Sequence, residues 1–142
     1  MTRVNLVEVD ELTDQHLVAE RLELTWVIKS ARSSLNGKKG LRVHPEFVLG
    51  PGHVSFFHDK LGYIIKRFND ITQEMNMRRF NVQMPLCDVS WVPPHMMKDY
   101  TPTPRDYAII KARIRERLLM KPEWYRYYGK PLDEDWINEV YK

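Results

Sequence analysis

The chain has very little sulfur chemistry available to it. Its one cysteine, Cys87, has no partner for an internal disulfide, and nothing around it in the sequence would activate its thiol. No apolar run approaches the length of a membrane span. No charged stretch leads into an apolar one at the start, so no signal peptide is expected. Together these absences point to a cytoplasmic protein that does not meet a membrane. There is no internal repeat and no low-complexity tract. The turn Gly50-Pro51-Gly52 lacks the Gly-Lys-Ser/Thr ending of a phosphate-binding loop. The histidines His44, His53, His58 and His95 show no metal-ligand spacing, and no Ser/His/Asp signature is present. His53, just after a Gly-Pro-Gly turn, reads either as the border of a groove or as a structural histidine with satisfied hydrogen bonds.

What is present suits one small domain. The 142 residues are 43% hydrophobic, enough for one core and too few for a cofactor domain beside a substrate domain. Charged residues make up 29%, so composition does not suggest disorder. The net charge of +3 says little by itself. Its distribution says more. Residues 101–130 carry eight Lys/Arg against three acids, whereas 131–142 carry four acids and one lysine. A basic segment beside an acidic C-terminal extension suggests a polyanionic partner.

Three helices are predicted, and with them an all-α fold: a single compact domain, 1–142, with long irregular connections. The first starts at the N-cap Thr13, with Asp14 in its first turn. Leu17, Leu24, Ile28, Ala31 and Leu35 form its buried face, and Asn36-Gly37 stops it. The second runs from about Ser55 to about Arg79. Its apolar row, Phe57, Leu61, Ile64, Phe68, Ile71 and Met75, alternates spacings of four and three. From Asn81 onward, Pro85, Pro93, Pro94, Pro102 and then Pro104 mark an irregular crossover, packed by Met84, Leu86, Trp91, Met96 and Met97. The third helix has the clearest start: Thr103 caps it, Pro104 takes its first position and Asp106 follows three residues after the cap. It should reach Lys121, with Tyr107, Ile110, Ile114 and Leu118 inward and Arg113, Arg117 and Lys121 on one outer stripe. One short helix is expected within the last twelve residues.

Three groups of residues carry possible chemistry. Removal of Met1 would leave Thr2 with a free α-amine. Its pKa of about 8, against about 10.4 for lysine, leaves more of it neutral and nucleophilic near pH 7. Such an amine can attack a sugar C1′ and form a Schiff base, although most Met-Thr starts carry no chemistry. His16, Glu20 and Glu23 share a second stripe of the first helix. Glu23 can serve as a carboxylate that protonates a leaving base and steadies a cationic sugar, or the stripe is simply a solvated charged face. His16 and Glu20 alone are too few ligands for a metal, so no metal and no cofactor are expected. Finally, Arg113, Arg117, Lys121, Arg126 and Lys130 can meet phosphates, while Trp124, Tyr125, Tyr127 and Tyr128 can stack on bases. Some of those rings must instead serve the core.

MTRVNL, ELTDQHLVAE, GHVSFFHDKL and the pair ARIRERL and KPEWYRYYGK together resemble the phage pyrimidine-dimer DNA glycosylases, also called dimer-specific endonuclease V. The resemblance spans about residues 1–130. It implies an all-α, metal-free monomer acting on damaged double-stranded DNA in a bacterial or phage-infected cell. It implies cleavage of the glycosyl bond of the 5′ base of a UV photodimer, followed by strand cleavage through β-elimination. Thr2 is implied as the imine-forming amine and Glu23 as the catalytic carboxylate. Arg3, Arg113 and Arg117 are implied to grip a kinked duplex. Gln15 and His16 would lie near a flipped-out base, and Trp124–Tyr128 would bind the damaged duplex. The chain departs from the family in one place. Arg21, Leu22 and Trp26 stand where the family has Tyr, Arg and Arg around the catalytic Glu. Arg21 is the candidate to compensate for a lost phosphate contact, and Trp26 to stack on a base. The departure bears on the target base more than on the reaction. A glycosylase for another damaged base and a non-catalytic DNA-binding protein are the alternatives.

Overall fold

The structure is a computed structural model that describes residues 3–142. Thr2 lies outside them. The described chain is mostly helical: α1 (Asp14–Asn36), α2 (His53–Phe56), α3 (Leu61–Met77), α4 (Pro104–Met120) and α5 (Glu134–Val140), with one small hairpin of β1 (Arg126–Tyr127) and β2 (Lys130–Pro131). This is the expected all-α class. Among the described residues no helix is long and apolar enough to cross a membrane.

The helix ends follow local chemistry. The Thr13 hydroxyl accepts from the His16 amide at the start of α1. At its other end Gly37 leaves in an extended conformation, with φ −75° and ψ 164°. At α4 the Thr103 hydroxyl accepts from the Asp106 amide, and the Asp106 carboxylate accepts from the Thr103 amide in return. This reciprocal cap satisfies two amides that no helical carbonyl reaches.

The second predicted helix needs a correction. It is broken into α2 and α3, and the break has a visible cause. The crossover lies against it, so that Lys98 donates its amide to the Asp59 carbonyl at 3.2 Å and Tyr63 donates to the Lys98 carbonyl at 3.2 Å. Strand-like pairing of Lys60 with Met97 takes the place of helical bonds. Gly62 permits this approach, because a Cβ there would stand 2.5 Å from the Met97 carbonyl oxygen. The apolar row survives the break: Phe57, Leu61, Ile64, Phe68, Ile71 and Met75 are all buried.

That row packs on Leu17, Leu24, Ile28 and Ala31 of α1, and Ile110, Ile114 and Leu118 of α4 join the same buried cluster. The acidic extension is part of it too. Ile137 and Tyr141 are fully buried, and the Tyr141 hydroxyl donates to the Glu11 carbonyl at 2.6 Å. Of the crossover residues expected to pack, Met96 is buried, but Met84 and Met97 are exposed.

Two buried ionic knots fix the elements around the site. Arg67 of α3 donates to the Glu20 carboxylate of α1 through Nε and, at 3.1 Å, through Nη2, and Nη1 reaches the Val7 carbonyl at 2.8 Å. Glu20 is fully buried. Arg78 donates to Glu74 and to Asp14, each at 2.9 Å, beneath the rings of Tyr127 and Tyr128. The hairpin turn, Tyr128-Gly129, has positive φ at both residues, the geometry of a two-residue turn that favours Asn-Gly. Here the Asp14 carboxylate accepts from both of those amides, at 3.1 and 2.8 Å, and so holds a tyrosine in the left-handed region.

Candidate active site and nucleic-acid interface

Glu23 sits just short of the middle of α1, one turn beyond Glu20. Both side chains are buried, which overturns the solvated-face reading of this stripe. The chain before α1 turns sharply to reach it. Leu6 has φ +60°, and the Val7 amide donates to the Asn5 carbonyl at 2.6 Å, closing a tight three-residue turn. That turn sends Asn5 into a groove of about 210 Å³ shared with His16, Ala19, Glu23, Arg113, Ile114, Arg117 and Tyr125. Its two arginines, Arg113 and Arg117, come from the outer stripe of α4. A second depression, about 250 Å³, continues from Arg117 and Tyr125 to Met120, Lys121 and Trp124.

Charge within the groove is arranged unevenly. Burial pushes the Glu23 carboxyl above the ordinary carboxylate range. Arg3 works against this, with Nη1 at 3.9 Å from Glu23 Oε1, and the neighbouring Glu20 adds to the rise. The result is a carboxyl that gains a proton more readily than a surface glutamate. Arg3 lies over the Trp26 ring, its guanidinium carbon 4.7 Å from the ring centroid. Its Nη1 is buried without a hydrogen-bond partner among the described residues.

His16 is stacked on Tyr125, with centroids 5.1 Å apart and planes within 4°. Its Nδ1 is 2.8 Å from the Thr13 hydroxyl. Burial, with Arg117 nearby, pushes the imidazole pKa down to about 4. The ring is therefore neutral near pH 7 and serves as a hydrogen-bonding wall of the groove, not as a cation.

The remaining predicted residues divide by location. Arg113, Arg117, Lys121, Trp124 and Tyr125 line the two connected depressions. Trp124 is 58% exposed. Gln15 holds the aromatic loop from below: its Nε2 donates to the Trp124 carbonyl at 2.7 Å and its Oε1 accepts from the Arg126 amide at 2.9 Å. Three residues lie elsewhere. Arg21 points away from Glu23, donating to the Thr72 hydroxyl at 2.8 Å over the Phe68 ring. The Tyr128 hydroxyl donates to Glu74 at 2.7 Å. Lys130 is exposed on the hairpin. Sequence reasoning missed Asn5, which has no periodicity to betray it, and the Glu20–Arg67 pair under Glu23, whose partners are 47 residues apart.

The fold and groove define a small all-α protein that sets a proton-accepting carboxyl beneath guanidinium groups and stacked rings. A family model described as pyrimidine dimer DNA glycosylase matches residues 1–88. The chain belongs to that family of DNA glycosylases. The match takes in α1, α2 and α3 with Arg3, His16 and Glu23, and ends before the basic stripe of α4.

Proposed function

We propose that the protein is a DNA-repair enzyme that removes a UV-damaged pyrimidine from duplex DNA and then cleaves the strand at the abasic site. The single observation that carries this reading is the juxtaposition of Arg3 and Glu23. It brings the N-terminal segment to a buried carboxyl whose affinity for protons is raised. With Met1 removed, the Thr2 amine is the nucleophile. Its nitrogen bonds to C1′ of the damaged nucleotide as the bond from C1′ to the base nitrogen breaks, and the base leaves with a proton. Ring opening at C1′, with the ring oxygen taking a proton, yields an imine between the amine and the sugar. Loss of a C2′ proton then expels the 3′ phosphate, and water hydrolyses the imine to free the enzyme. Glu23 acts as general acid and base in these transfers and offsets positive charge on the sugar.

The groove residues have roles to match. Arg3, Arg113, Arg117 and Lys121 neutralise phosphates. Trp124 and Tyr125 offer ring faces for unstacked bases. His16, as a neutral ring, donates to or accepts from a base edge. Gln15 sets the height of the aromatic loop.

One observation favours a related target. Val18, Leu22 and Trp26 are exposed on the face of α1 beside Glu23. An apolar face there suits another damaged or modified base, with the same chemistry. Borohydride reduction traps the imine and tests both readings. The leading reading expects a covalent protein–DNA adduct with UV-irradiated and with abasic duplex, and none with undamaged duplex. Trapping on abasic duplex alone shifts the target to another base. Binding without trapping on any duplex leaves a DNA-binding protein without this chemistry. A mass spectrum of the purified chain shows whether Thr2 is its first residue.

A further inference from the structure

We propose that His53 is a positioning residue of this active site: its ring holds the backbone of Arg3 and Val4, and so fixes the path of the N-terminal segment beside Glu23. This rests on the reading above, in which the segment carries the nucleophile.

The segment ahead of α1 needs an external support. Residues 3–8 form neither helix nor strand, so no ladder of backbone bonds holds them. His53 supplies bonds from a point 49 and 50 residues away in the chain. The Arg3 amide donates to His53 Nε2 at 3.2 Å, and the Val4 amide donates to the same nitrogen at 3.1 Å. The opposite ring nitrogen, Nδ1, lies 2.9 Å from the Val48 carbonyl oxygen. A carbonyl has no proton to give, so Nδ1 carries the hydrogen and Nε2 presents its lone pair. Three bonds thus select one tautomer of one neutral ring.

The surroundings keep the ring in that state. It is 1% exposed. Phe47 and Phe57 meet it edge-on, with centroids at 5.3 and 5.7 Å. Burial pushes the imidazole pKa down, and the positive charge of Arg3 works in the same direction. Its place at the start of α2 depends on Gly52, which has φ +95°; a Cβ there would fall 2.6 Å from the His44 ring. The Gly-Pro-Gly turn therefore serves to deliver a histidine to the N-terminal segment. Arg3 is held twice as a result, through its amide by His53 and through its guanidinium by Trp26 and Glu23.

The chemistry explains why such a support matters. Attack by an amine depends steeply on distance and angle, and a misplacement of about 1 Å can cost roughly a hundredfold. Binding of the duplex through Arg113, Arg117 and Lys121 of α4, which His53 does not hold, does not share that sensitivity. Loss of His53 should therefore slow imine formation while leaving affinity nearly unchanged.

The test compares wild type, His53→Ala and His53→Gln. Three quantities are measured: borohydride trapping rate on abasic duplex, affinity for a duplex carrying a non-reactive tetrahydrofuran site, and thermal unfolding. The Ala variant is expected to trap at least about tenfold more slowly, with affinity within about threefold of wild type. The Gln variant, whose Oε1 reaches as far as Nε2 and accepts both amides, should recover to within about threefold of the wild-type rate. Trapping by the Ala variant at the wild-type rate overturns the proposal, as do equal losses of trapping and affinity in both variants. If the Ala variant does not fold, the Gln variant and the wild-type ring decide. Nitrogen NMR of wild-type His53 should find the proton on Nδ1, and a proton on Nε2 overturns the proposal. Wild-type protein that never traps refutes the amine chemistry instead, a failure distinct from these.

Discussion

Arg3 lies across the Trp26 ring and faces Glu23, so one guanidinium links an exposed tryptophan to a buried carboxyl. Arg3 opposes the rise in the Glu23 pKa, and Trp26 keeps Arg3 in place. Trp26→Ala should loosen Arg3 and let the carboxyl rise further. The acid limb of the pH–rate profile for base release should then move to higher pH. The stability change should be small, about 1 kcal/mol, typical of a cation–π contact near the surface. An unmoved acid limb would show that Trp26 acts on DNA alone.

The salt dependence of binding reports on the α4 stripe. Arg113→Ala, Arg117→Ala and Lys121→Ala should each lower the slope of log affinity against log salt by about one unit. Arg21→Ala should leave the slope unchanged, since Arg21 is turned toward Thr72 and Phe68. Fluorescence anisotropy over a salt series checks both.

Beneath the site, Glu20 depends on Arg67 for its place in the core. Arg67→Met would strand a buried carboxylate and should cost about 3–5 kcal/mol. Adding Glu20→Leu to that variant should recover much of the loss, because the pair is then replaced by apolar groups. Urea unfolding of the single and double variants measures the difference.

Two glycines should respond differently to alanine. At Gly62 a Cβ collides with backbone of the crossover, and no side-chain movement relieves it. At Gly129 nothing lies within 4 Å and the strain comes from φ +78° alone. Gly129→Ala should cost about 1 kcal/mol. Gly62→Ala should cost more and loosen the α2–α3 junction. Thermal melts of both rank them.

Acid should weaken the fold through its histidines. His16, His53 and His58 all have pKa values lowered by burial from the ordinary 6.5. The unfolded chain therefore binds more protons below about pH 6.5. The stability that these neutral rings contribute is present above that pH and is lost as pH falls, for His16 down to about 4. His16→Gln should flatten part of that slope in a series of urea melts. NMR titration should show His16 still neutral at pH 5.5.

Much of this was legible in the sequence, and the reasons for success and failure are local. Thr13 and Thr103 marked helix starts because a cap is settled by a few neighbouring residues. The apolar row from Phe57 to Met75 reported burial faithfully but not continuity. Its break depends on Met97 and Lys98, whose approach no local pattern encodes. Glu20 looked like a surface acid because its partner Arg67 is distant in sequence. The aromatic run near the C-terminus announced a cluster of rings. Its division between groove and support depends on Asp14, Gln15 and Glu74, which come from earlier helices. His53 was visible as a histidine after a turn, but its role requires knowing that the N-terminal segment passes its ring.

The most direct test of the central claim is Glu23→Gln, assayed under single-turnover conditions on UV-irradiated duplex. The substitution keeps the shape of the side chain and removes its ability to exchange a proton. Duplex affinity should stay near the wild-type value, while base release falls by about a hundredfold or more. Base release by the variant at the wild-type rate would contradict the account.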